Sequence, residues 1–152
     1  MIGSSCVFRL KHLSIIPPIL LTLGMGGGYS AVAQSKLYNP VALPPSNEIA
    51  DKLTESDIPT GLGGFARDYL VKLNKGDNVA IDLTSDSFDA MVTLLSTDGT
   101  TLSENDDGPD GTTNALLFTR VTTTGTYVVR VRAFGETGVG NFKLKVTRLR
   151  PS

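Results

Sequence analysis

Three carboxylates within five residues, Asp106, Asp107 and Asp110, share the loop Asn105-Asp106-Asp107-Gly108-Pro109-Asp110-Gly111. Like charges that close repel one another unless water or a cation lies between them. The loop therefore suits a hard cation such as Ca²⁺, held by carboxylates from more than one loop, or a solvated turn whose aspartates cap neighbouring amides. It is not an EF-hand, because no glutamate stands at the twelfth position and no helical pattern flanks it. Asp89 adds a further carboxylate to the candidate ligands. Paired with Asp106 or Asp107 it would serve a glycosidase; otherwise it is a turn residue accepting the amides near Ser87 and Phe88. The chain has no Trp on which a sugar could stack.

The inventory around these residues excludes other chemistry. Arg9 and Lys11 precede the apolar run Leu13 to Leu23, and Ala31-Val32-Ala33 follows. That order is a secretory leader, expected over residues 1–33 with cleavage after Ala33. The run is short for a membrane span and Pro17-Pro18 interrupts it, so no stable membrane insertion is expected once the leader is gone. Cys6 and His12, the only Cys and His, would leave with it. Ser-His-Asp and Cys-His catalysis need an imidazole or thiol, and zinc chemistry needs His or Cys ligands. The mature chain would supply neither. It would carry 12 basic and 15 acidic residues, net −3, a poor balance for nucleic acid. Its 119 residues are enough for one core.

The elements that must hold the acidic loop follow a two-residue period. Residues 34–46 contain three prolines and read as an extended linker. Residues 47–56 are ambiguous between a helix and an edge strand. Tyr69, Val71 and Leu73 then alternate with Asp68, Leu70 and Lys72. Val79 to Thr84 alternate likewise, as do Tyr127 to Arg132 and Phe142 to Thr147. Each pattern sets one face on a core and the other in water. Met91 to Ser96 is more continuously apolar, and Asp98-Gly99 makes a hairpin turn to Thr100–Ser103. Phe88, Leu94, Phe118, Tyr127, Val129, Phe142 and Leu144 are the expected core. The Arg and Lys residues of the last two strands are outer-face positions, or a weakly basic stripe for a polyanion. The whole is an all-β chain, an antiparallel β-sandwich of the jelly-roll kind with about eight strands.

The segments DYLVKLNKGDNVAIDL (68–83), SFDAMVTL (87–94), DGTTLSENDD (98–107), TGTYVVRV (124–131) and GNFKLKV (140–146) succeed one another at close intervals. In that order they resemble the bacterial pre-peptidase C-terminal domain, over about residues 47–148. The resemblance implies an eight-stranded jelly roll related to the collagen-binding domains of bacterial collagenases, with a domain over 47–150 and a first strand over Ile49–Glu55. It also implies an accessory module with no catalysis of its own. Its partners would be a secreted peptidase, an extracellular protein or a polysaccharide. In the collagenase-like relatives an acidic position before such a strand takes part in calcium binding. Asp68-Tyr69 resembles it, which adds Asp68, with Asp57, to the calcium candidates. The chain departs from the family in having no accompanying peptidase. A secreted or periplasmic binding module is thus expected, against a small carboxylate-dependent hydrolase or a purely structural envelope component.

Overall fold

Alternating apolar residues form strands here because a pleated strand buries every second side chain. A computed structural model of the chain describes residues 38–109 and 111–149. The expected leader, the first residues of the linker and Asp110 lie outside the described residues. Ten strands follow in order: β1 (Val41–Ala42), β2 (Glu48–Leu53), β3 (Ile58–Pro59), β4 (Phe65–Leu73), β5 (Asn78–Thr84), β6 (Ala90–Ser96), β7 (Thr101–Asn105), β8 (Ala115–Arg120), β9 (Gly125–Ala133) and β10 (Gly140–Leu149). β1 and β3 are two residues each, which leaves the eight longer strands expected. The ambiguous segment is β2.

The strands make two sheets. One runs β1-β4-β9-β6-β7, with β3 also on β4, and the other runs β2-β10-β5-β8. Every pairing is antiparallel apart from β1, which lies parallel to β4 with Val41 against Tyr69. The Leu43 amide continues that ladder to the Leu70 carbonyl at 2.9 Å. Part of the stretch read as linker is therefore docked as a strand.

Between the sheets Tyr69, Val71 and Leu73 of β4 and Tyr127, Val129 and Val131 of β9 meet Val79, Ile81 and Leu83 of β5 and Phe142, Leu144 and Val146 of β10. All are buried. β6 is buried on both faces, as its continuous apolarity implies. Its outward residues Met91 and Thr93 stand beside Arg132 and Arg130 of β9, and arginine stems cover apolar surface while their heads stay wet. The β6–β7 hairpin turns at Asp98-Gly99, where Gly99 takes a φ of 87°. The Asp98 carboxylate accepts the Ser96 hydroxyl and the Thr100 amide. Those bonds hold its pKa at about 2.

Phe118 departs from the expected core. It is 62% exposed, because β8 turns Ala115, Leu117 and Val121 inward and its phase places Phe118 on the outer face opposite Ala80. Apolarity cannot override the two-residue period, and β8 is an edge strand with room outside. Leu94, 1% exposed, should lose about 2–5 kcal/mol on truncation to Ala. Phe118→Ser should change stability by no more than about 0.5 kcal/mol. Denaturant unfolding of both variants checks this; equal midpoints would show that β6 is not central.

Candidate functional site

Of the six aspartates picked out in the sequence, the five described do not gather into one group. Asp106 and Asp107 follow β7 in a loop stitched to β8 by a neighbour, Asn105. The Asn105 amide donates to the Asp107 carbonyl at 2.8 Å and to the Leu116 carbonyl at 2.9 Å. The Leu116 amide donates back to the Asp107 carbonyl at 3.0 Å. Asp107 is exposed and Asp106 half-buried; Asp110 lies outside the described residues. Asp89 is exposed just before β6. The amides of Ser87 and Phe88, expected to reach Asp89, go instead to the Ser85 hydroxyl at 3.0 and 3.2 Å. Ser85 is buried and already in place two and three residues upstream, the usual reach of a serine capping a turn.

Asp57 and Asp68 are each held by an arginine. Arg67 points inward at the rim of the sandwich, although it carries a charge, because partners meet it there. Its Nη1 donates to Asp57 at 2.7 Å, and its Nε donates to Asp51 at 2.9 Å and to the Tyr69 hydroxyl at 3.1 Å. The Tyr69 hydroxyl donates to Asp51 at 2.8 Å. Asp57 also accepts the Thr54 amide and hydroxyl at 2.7 and 3.0 Å. On the outer face of the larger sheet, Arg130 donates through two nitrogens to both oxygens of Asp68, each at 2.8 Å. The Asp68 side chain is fully buried. A guanidinium thus stands where a cation would be needed at Asp57 and at Asp68, so this pair does not fit a calcium site. Among the described residues no three acidic side chains converge on one point.

Partial burial pushes the Asp51 carboxyl up, but hydrogen bonds from Tyr69, the Lys52 amide and Arg67 outweigh it and leave its pKa below the ordinary 3.8. Burial and the Asp51 bond raise the Tyr69 phenol above its ordinary 10.0. A lowered carboxyl contributes stability that is present above pH 3.8 and lost as pH falls further. A raised phenol contributes stability that is complete below pH 10 and lost as pH rises beyond it. The melting temperature should hence fall on both flanks, and Asp51→Asn should flatten the acid flank. An acid flank of unchanged slope in Asp51→Asn would remove this group from the linkage. Asp68→Asn leaves Arg130 half-buried without its partner and should cost about 3 kcal/mol, equally in EDTA and in calcium. A calcium-dependent melting shift abolished by Asp68→Asn would return the metal to this position.

The grouping that the sequence reading missed lies on the smaller sheet. β2 and β10 and the loop after β5 enclose a cleft of about 620 Å³, its rim carrying Lys52, Lys143, Thr84, Asp86, Ser87 and Asn141. Phe142 underlies it, only 3% exposed. The Ser85 hydroxyl donates to the Asn141 carbonyl at 2.9 Å, and the Thr113 hydroxyl donates to the Ser85 carbonyl at 3.2 Å. Gly140 packs so tightly on the Ser87 side chain that no Cβ fits there. These ties fix the loop to the sheet. The available signal was the outward phase of Lys52 and Lys143, but only the β2–β10 register makes them neighbours.

The family model for the bacterial pre-peptidase C-terminal domain matches residues 66–133, the span from β4 to β9. No curated protein matches the chain in sequence. Among solved structures, the pre-peptidase C-terminal domain of the collagenase from Bacillus anthracis superposes with a TM-score of 0.50 at 13% identity, covering 72% of this chain and 93% of that one. Two periplasmic inhibitors of g-type lysozyme give lower TM-scores. PliG of Aeromonas hydrophila gives 0.48 at 10% identity, with 72% of this chain and 96% of that one covered. PliG of Salmonella Typhimurium gives 0.45 at 13% identity, with 72% and 100% covered. The collagenase likeness, at that identity, is one of fold, and residues 66–133 of this chain match the bacterial pre-peptidase C-terminal domain family.

Proposed function

We propose that the chain is a secreted, non-catalytic accessory module that binds a protein or polysaccharide at the cell envelope through the cleft between β2 and β10. The observation that carries this reading is a contrast between two sets of polar groups. Asp51, Asp57 and Asp68 are held in ion pairs that serve the fold. The cleft presents Lys52, Lys143, Thr84, Asp86 and Ser87, whose side chains make no bond to any described residue, beside a loop tied to the sheet by the Ser85 and Thr113 hydroxyls. A preorganised polar surface of this kind recognises a ligand without ordering itself first. The domain type is generally an accessory one, and the leader expected over residues 1–33 would carry it out of the cytoplasm. Among the described residues no helix is long and apolar enough to cross a membrane. A secreted peptidase is a fitting protein partner.

The purified exported protein should be retained on one or more envelope polysaccharides or secreted proteins in an array, and should release no sugar or peptide product on prolonged incubation. Substitutions in the cleft should weaken that retention. Steady product release that disappears in Asp89→Asn would favour the hydrolase, and absence of retention on every surface would favour a structural envelope component.

A further inference from the structure

We infer that the cleft takes an anionic carbohydrate, a polysaccharide segment bearing carboxylate or sulfate groups, with Lys52 and Lys143 on the charged group. This deepens the binding-module reading above and rests on it. The β2–β10 register sets Lys52 opposite Asn141 and Lys143 opposite Ala50. The two lysines are therefore diagonal neighbours on the outer face, about 7–8 Å apart at the backbone and within reach of one ligand group. Both are exposed and both line the cleft.

Arg67, Arg130, Arg132 and Arg148 each pair with a carboxylate, and Lys145, one step further along β10, faces Glu48 at 3.9 Å. Lys52 and Lys143 have no such partner among the described residues, and Asp51 between them in the cleft lining is taken by Arg67. Among the described residues Lys72, Lys75 and Arg120 also lack an ion pair, but Lys52 and Lys143 are the two cations that share the cleft lining. As diagonal neighbours the two ammonium groups can reach one anionic group from two sides. Around them the Thr84 and Ser87 hydroxyls and the Asp86 carboxylate make no side-chain bond among the described residues, which suits donors and acceptors spaced along a sugar ring. The cleft has no exposed large apolar side chain in its lining. A peptide would lack the apolar anchor pocket that gives peptide sites most of their affinity, so the chemistry favours the carbohydrate.

Binding of the full exported chain should be measured to polygalacturonate, to a sulfated polysaccharide and its desulfated form, to neutral dextran, and to polyglutamate. The expected result is binding to a carboxylated or a sulfated polymer, little to dextran, and a marked loss at about 1 M salt, where screening acts within about 3 Å. The desulfated arm tells which anion is read. The double variant Lys52→Gln, Lys143→Gln should bind about tenfold more weakly, the sum of two surface ion pairs, at an unchanged melting temperature. The control variant Lys72→Gln, Lys75→Gln carries the same charge change away from the cleft and should bind as the wild type does. An equal loss in the control, equal binding of dextran, or polyglutamate binding as tightly as the polysaccharides would overturn the inference. If the anionic polymers fail while a neutral glycan or a protein is retained, the inference falls and the module reading stands; if nothing is retained, both fall.

Discussion

Tyr69 must bury a ring and satisfy a hydroxyl at once, and much of the sandwich follows from how it does so. Its ring sits in the core at 6.1 Å from Phe142, edge to face, and Phe142 meets Phe88 in the same way at 6.3 Å. A buried phenol without a partner would cost on the order of 1–3 kcal/mol. The partner is Asp51, which arrives on β2 from the opposite sheet. An aspartate on an inward position is itself tolerable only because Arg67 reaches it. One aromatic ring thereby fixes which face of β2 looks inward. With Ile49, Asp51 and Leu53 turned toward the core, Ala50 and Lys52 have to face out. The outer cleft is a consequence of the inner clamp.

The loops at the rim are positioned by close approach. The Thr60 hydroxyl donates to Glu136 at 2.5 Å, and Arg132 donates to the other Glu136 oxygen at 2.7 Å. A Cβ on Gly64 would lie 2.5 Å from the Glu136 carboxylate, and one on Gly138 would lie 2.7 Å from the Phe88 Cβ. These two glycines, with Gly140 against Ser87, let the segments that lead into β4 and β10 pack closely on Glu136, Phe88 and Ser87. Their value lies in the absence of a side chain as much as in backbone freedom.

The strands and their inward residues were legible because the two-residue period is a local property, readable from five or six neighbours. The acidic residues were not, because their roles depend on partners far along the chain. Asp68 looks like a candidate ligand until Arg130, 62 positions later, is placed across from it. Asp57 looks the same until Arg67 arrives from β4. Phe118 shows the opposite error, where residue type was allowed to decide a burial that phase decides. Ser85 gave no compositional signal, since a serine hub looks like any turn serine. β1 was hidden by the prolines that flank it, Pro40, Pro44 and Pro45, none of which lies within the two residues that pair.

The acidic balance of the chain and the bare lysine pair act at different distances. A chain with a net charge of −1 does not attract polyanions from afar, and at physiological salt its field decays over about 8 Å. Inside the cleft the two ammonium groups act at contact, with Asp51 neutralised by Arg67, Asp86 in the same lining, and Glu48 and Asp82 diagonal to Lys143 on the neighbouring strands. A ligand held by such a pair gains little from approach and most from fit, so its affinity is low and its selectivity comes from where its anion sits relative to its hydroxyls. Low affinity at each site is no handicap for a repeating polymer. Each residue of the polysaccharide offers the same contact again, and rebinding along the strand raises retention without any new protein surface.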